Sequence, residues 1–175
     1  MTFTARLPSL LLSITCLSVI TGCASITSVP PGTNIDVVIK QFGEPAVRCP
    51  GSTGHERLVW TAQPMGQTAW ATELSTDGRV SGFEQVLTDA HFSVLSNPGW
   101  TKDKIHCEFG PPAEIEDLGM GFSDKHTTWL YRFMHLGTWY SFMAITFGDD
   151  GQHVLKYGSV PDPMFDEGSR GFSVD

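Results

Sequence analysis

The sequence predicts an α+β fold of two tandem repeats, each made of a short helix or helices packed on an antiparallel three-stranded sheet. Three observations carry that prediction. Residues 31–46 align with residues 98–113 at an offset of 67, and seven of the sixteen positions are identical, far above chance pairing at average residue usage. Each copy is followed by segments whose apolar residues alternate with period two, the pattern of half-buried strands. Each set of strands also contains an Asp-Gly pair, Asp77-Gly78 and Asp150-Gly151, and tight hairpin turns need the positive φ that Gly supplies.

Taken in order, residues 1–22 read as a secretory signal. Arg6 is the one charge, an apolar run extends over 10–20, and small residues precede Cys23. The run is too short to cross a hydrocarbon core of about 30 Å as a stable helix. Residues 23–31, with Pro30 and Pro31, read as a tether. The first repeat spans 32–87. Val38 and Phe42, four apart, share one face of a short helix that Gly43 and Pro45 end. Strands are expected at 57–62, 68–74 and near 80–87. The second repeat spans 88–163 and opens with an additional helix, started by Thr88-Asp89 and carrying Phe92, Val94 and Leu95. Its second helix pairs Ile105 with Phe109 and stops at Gly110 and Pro112. Strands follow at 127–133, 138–147 and 153–159. Residues 164–175, rich in Gly, Ser and acids, read as a disordered tail.

Composition narrows the function classes. Eleven Lys and Arg stand against 19 Asp and Glu, a formal net charge of −8. The signal segment holds one Arg and no acid, so its removal makes the remainder more acidic. Such a chain lacks the basic surface that phosphate backbones demand, which excludes nucleic acid. It also lacks a polybasic stretch for anionic lipid.

No constellation for catalysis is present. The six His form no pair at metal-ligand spacing, and no Ser or Cys sits in a recognisable nucleophile context. Asp149-Asp150-Gly151 lacks the further ligands of a Ca²⁺ loop and reads as a turn. No metal or cofactor is expected. Trp60, Trp70 and Trp129 fall in strands and read as core. Trp100 replaces the Thr33 of the first copy just before a helix, and Met134, Leu136, Trp139 and Tyr140 border a hairpin. These five form either a partner surface or the packing between repeats. Cys49 and Cys107, 58 positions apart, either pair and staple the repeats together or stay separate thiols.

Ile20-Thr21-Gly22-Cys23 resembles the lipobox of bacterial lipoproteins. The resemblance implies cleavage before Cys23 and a diacylglycerol on its sulfur, and several acyl chains hold firmly where one binds only marginally. By similarity to lipoprotein sorting, Ala24 implies the periplasmic face of the outer membrane. The repeats, with Gly32, Val38, Phe42-Gly43-x-Pro45 and Trp60, then Gly99, Ile105, Phe109-Gly110-x-Pro112 and Trp129-Leu130-Tyr131, resemble the SmpA/OmlA (BamE-like) lipoprotein family. Their duplication is similar to the tandem architecture of the β-lactamase inhibitor proteins. The resemblance implies a non-catalytic, protein-binding adaptor whose partners are β-barrel assembly components or another envelope protein, acting in outer-membrane protein assembly or envelope integrity. The inhibitor similarity implies an alternative, a proteinaceous inhibitor of a periplasmic enzyme, with 114–117 and the loop 118–122 as the inserted element.

Overall fold

The computed structural model describes residues 25–51, 54–119 and 125–165. The signal segment, Cys23, residues 120–122 of the expected loop and residues 166–175 of the expected tail lie outside these. The chain runs through a 3-10 turn (Ile26–Ser28), α1 (Ile35–Phe42), β1 (Val47–Pro50), β2 (Glu56–Thr61), β3 (Ala69–Leu74) and β4 (Glu84–Gln85). It continues through α2 (Asp89–Phe92), a second 3-10 turn (Ser93–Ser96), α3 (Lys102–Phe109), β5 (Glu114–Gly119), β6 (Lys125–His135), β7 (Trp139–Phe147) and β8 (Val154–Pro161).

The architecture is α+β, but each sheet has four antiparallel strands instead of three, in the orders β1-β2-β3-β4 and β5-β6-β7-β8. The unexpected strands are β1 and β5, which directly follow the Gly-x-Pro helix stops. Both are edge strands with little core pattern: β1 has four residues and ends on Pro50, while β5 begins Glu-Ile-Glu-Asp. Such short or charged edges are how sheets avoid further pairing. Conversely, the strand expected near 80–87 shrinks to Glu84–Gln85 and an isolated bridge between Leu74 and Val80. Gly82, at φ +125°, turns the chain out of the ladder between them.

The repeated segment folds to one plan twice. Asn34 caps α1 and Thr101 caps α3 through side-chain oxygens that accept backbone N–H groups. Gly43 (φ 81°, ψ 179°) and Gly110 (φ 85°, ψ −169°) end the helices. This is a conformation open only to Gly. The carbonyl of each Gly then accepts a bond from an aromatic side chain of the following sheet: Trp60 Nε1–H to Gly43 O at 2.8 Å, and Tyr131 Oη–H to Gly110 O at 2.9 Å. Trp60 is therefore matched by Tyr131, not by Trp129. Burial alone pushes the Tyr131 phenol above its ordinary pKa, so it remains a donor.

The elements stack in layers. α1 covers one face of the first sheet, with Val38 against Leu58, Trp60 and Val80. The other face, with Val47, Val59 and Ala71, shares one core with Phe92, Ile105, Phe109 and with Tyr131, Phe133, Ile145 and Phe147 of the second sheet. Leu58, Val59 and Trp60 are consequently buried in succession, as in strands covered on both faces. The expected tether is docked from Ser25 onward. Ile26 is buried in the cluster beneath α1, where an apolar side chain gains by leaving water, and Gly32 N–H donates to Val80 O at 2.8 Å. Met164 and Phe165 of the expected tail are likewise placed: Met164 N–H donates to Asp162 Oδ1 at 3.0 Å.

A disulfide joins Cys49 on β1 to Cys107 on α3, with Cα atoms 5.8 Å apart. It links the first sheet to the helical layer beneath the second. Replacing both cysteines by Ser is expected to remove roughly 4 kcal/mol of stability on chain-entropy grounds for a loop of this length. Urea unfolding of the oxidised protein against the double variant measures it, and coincident transitions would contradict a stapling role.

Candidate functional site

Of the five residues expected on a partner surface, the structure brings three together in the open. Leu136, Trp139 and Tyr140 are 71%, 65% and 45% exposed at the end of the β6–β7 hairpin, and Met134 beside them is half-buried. Trp100 is not part of this surface. It packs against the main core, and its indole N–H donates to Val94 O at 2.9 Å, closing the 3-10 turn that precedes it. The polar cap expected before α3 is supplied by Thr101 instead.

The hairpin end is held from below. Pairing runs out to His135 opposite Trp139, leaving three residues to turn, with Leu136 at φ 50° and Gly137 at φ 68°. A left-handed Leu is uncommon and needs support from its surroundings. Asp89, in the first turn of α2, provides it: one carboxylate oxygen accepts the Leu136 N–H at 2.7 Å and the other lies 2.6 Å from His135 Nδ1. An open groove of about 940 Å³ adjoins this end, lined by His135, Trp139, Ser141, Val160, Met164 and Phe165 among others. Phe165 stacks on Tyr140 with centroids 4.4 Å apart.

Behind the groove lies a buried ion pair. Arg132, with its side chain 3% exposed, donates through Nε to Asp162 Oδ2 at 2.7 Å, and Asp162 is 1% exposed. The same guanidinium reaches Glu114 Oε1 at 2.6 Å and the Pro64 carbonyl, and stands 4.7 Å over the Phe142 ring. Every face of the charge is thus matched, which a buried cation requires. The Gln63 carboxamide completes the arrangement. Its Nε2 donates to Arg132 O at 2.8 Å and its Oε1 accepts from Arg132 N–H at 3.2 Å. These backbone groups lie past the start of β5, so an amide side chain takes the place of a neighbouring strand.

A second polar cluster joins the first sheet to the helices. Arg57 donates to the carbonyls of Cys107 and Glu108, both at 3.2 Å, to Glu108 Oε1 at 2.7 Å and to Glu73 Oε1 at 3.2 Å. His91 Nε2 lies 2.6 Å from Glu108 Oε1, and its Nδ1 lies 3.1 Å from Glu84 Oε1. The hydrogen bond with Glu108 holds His91 protonated to higher pH than usual, against its partial burial, with the charges of Glu108 and Glu84 adding to the effect. Burial opposes ionisation of Glu108, but the His91 hydrogen bond and the Arg57 charge outweigh it and keep the carboxyl below its ordinary pKa.

No signal along the chain pairs Arg132 with Asp162 or Arg57 with Glu108, because the partners lie 30 and 51 positions apart. Asp89 was legible only as a helix-opening acid. Of the remaining His, His153 bonds the Asp150 carboxylate, while His126 Nδ1, buried and without a hydrogen-bond partner among the described residues, stands 3.7 Å from Asp149. Among the described residues no three His, Cys, Asp or Glu side chains are placed to hold a metal ion, and no helix is long and apolar enough to cross a membrane. Compared with protein-family models, curated proteins and solved structures, the chain gives no match.

Asp162→Ala leaves the Arg132 charge buried with one partner fewer and is expected to cost about 3–5 kcal/mol, measured by urea unfolding; a loss below about 1 kcal/mol would mean the pair is solvated. For His91, whose folded pKa is raised, the stabilisation is complete below the unfolded value and is lost as pH rises through the folded one. Unfolding free energy should therefore fall as pH rises from the ordinary His pKa, about 6.5, through the raised folded one in the native chain, and stay flatter in His91→Gln. The depressed Glu108 adds a separate loss only as pH falls through its folded pKa.

Proposed function

We propose that this chain is a lipid-anchored envelope protein, attached through Cys23 to the periplasmic face of the outer membrane, which binds and positions another envelope protein and performs no catalysis. The observation that carries the placement is the Cys49–Cys107 bridge. Disulfides persist in oxidising compartments and are rare in reducing ones. The N-terminal segment ending Ile20-Thr21-Gly22-Cys23 is an address for such a compartment. Two separate parts of the chain thus argue for one destination, and Ala24 argues for the outer membrane by similarity to lipoprotein sorting.

Binding, in preference to chemistry, is supported by how the polar groups are engaged. Arg57, Glu108 and His91 bond one another, as do Arg132 and Asp162, so these clusters read as architecture. The second sheet leaves β5 and β8 as its outer strands. On β5, exposed Ile115 stands between Glu114 and Glu116. An acidic edge with an apolar contact suits a partner segment that adds a strand and carries basic side chains. The resemblance to tandem SmpA/OmlA units supports a β-barrel assembly component as that partner. Confinement to a surface raises effective concentration, so a small contact area suffices.

Metabolic labelling with palmitate, followed by crosslinked recovery from membranes, tests this reading. Label is expected on the native chain and not on Cys23→Ala, and assembly components are expected to be recovered only with the labelled form. Recovery of a soluble periplasmic enzyme by both forms would overturn the adaptor in favour of an inhibitor.

A further inference from the structure

We infer that the apolar end of the molecule around Trp139 seats in the uncharged interfacial layer of the bilayer that carries Cys23; this docking rests on the lipid-anchor reading above. Ser25 and Ile26 border a cleft with Thr61, Ala62 and Thr68, at the β2–β3 hairpin end. Within that hairpin, Gln63 and Pro64 bond Arg132, which lies just before the β6–β7 hairpin end. The two hairpin ends and the entry of the chain therefore occupy one end of the layered stack. Cys23 precedes Ser25 by two positions, and two residues reach no more than about 7 Å. An acyl group on Cys23 would hold this end against the bilayer surface.

The chemistry of that end fits the occupant. Met65 is 64% exposed in the first hairpin, and Leu136, Trp139, Tyr140 and Phe165 are exposed around the second. Trp and Tyr, with an apolar body and a polar tip, are enriched at the headgroup level of membranes. Charge is sparse in the two hairpin segments, in a chain of net charge −8; nearby, part-exposed Glu114 is paired with Arg132, and Asp166 and Glu167 follow Phe165 in the sequence. Residues 62–68 hold no charged side chain, and residues 134–140 hold only His135, which pairs with Asp89. Arg132 and Asp162 are buried against each other. Glu44, which borders the cleft beside Ser25, is exposed and paired with Arg48. No exposed Lys or Arg stands in either hairpin segment, so the surface suits zwitterionic lipid and not a specific anionic headgroup. The acidic remainder is repelled by an anionic surface, and an uncharged end is the part that can approach.

The Asp89 bracket on Leu136 presents this end preformed, so little ordering is needed on contact. The groove beside Trp139 would then face the headgroup layer, while the β5 edge remains open to a protein.

The test uses the lipidated full chain reconstituted in phosphatidylcholine vesicles with brominated acyl chains, which quench tryptophan emission on contact. Flotation with the vesicles reports the anchor and quenching reports the docking. The expected result is flotation of the native chain, with quenching largely lost in Trp139→Phe and reduced at least about twofold in Leu136→Asp. Asp tolerates the left-handed backbone at that position, and near-native circular dichroism of that variant keeps the reading clean. Flotation with no quenching, or with equal quenching in Trp139→Phe, overturns the docking and leaves the anchor standing. Failure to float overturns the anchor and the docking with it.

Discussion

The last turn of α3 is the joint on which both sheets depend. Phe109 is fully buried and lies within 5.0–6.3 Å, ring to ring, of Phe92, Tyr131 and Trp100. On the other side of the same turn, the Cys107 sulfur is bonded to β1, and Arg57 of β2 takes the helix's terminal carbonyls of Cys107 and Glu108. A cation at a helix C-terminus meets the negative end of the dipole as well as two unsatisfied acceptors. Gly110 then lets the chain turn away so closely that a Cβ there would sit 3.3 Å from Val59. The first sheet closes a small core of its own with α1, but its other face and the second sheet bury their apolar residues in common. One helix end, gripped covalently, electrostatically and by packing, lets them do so.

Much of this was legible in the residues, and the limits are physical. The duplicated helix segment, its caps and its Val38/Phe42 and Ile105/Phe109 pairs are local features, and local features are written where they act. The edge strands β1 and β5 were not legible, because an edge is shaped by what it must avoid instead of by a core pattern. The docked segment around Ile26 escaped notice for a related reason. One buried side chain shortly before a pair of prolines makes no periodicity, yet it is sufficient to fix a short segment on Trp60 and Val38.

The candidate surface divided similarly. Leu136, Trp139 and Tyr140 are apolar residues at a turn, and their exposure follows from hairpin geometry. Trp100 occupied a position where the first copy has Thr33 and looked equally free, but its indole answers the Val94 carbonyl, a need created only once the 3-10 turn exists. The ion pairs of Arg57 and Arg132 were out of reach for the same reason. Their partners come from other elements, so they are products of the topology and leave no spacing to read.

Gln63 carries a consequence for how this chain can change over time. Its carboxamide stands in for a strand against the backbone of Arg132 while also donating to Gly66 O at 2.7 Å. The loop between β2 and β3 is therefore ruled to a fixed length: one residue more or fewer would displace the amide by a good part of a strand rise of about 3.3 Å, and both bonds would be lost together. The turn at 75–79 has its own fixed partner in the entry to α1, where Gly78 O accepts the Ile35 N–H at 3.0 Å and Arg79 donates to Gly32 O at 2.8 Å. Insertions and deletions accumulated by descendants of this sequence should therefore spare both turns, the first because it spaces the two sheets and the second because it seats α1.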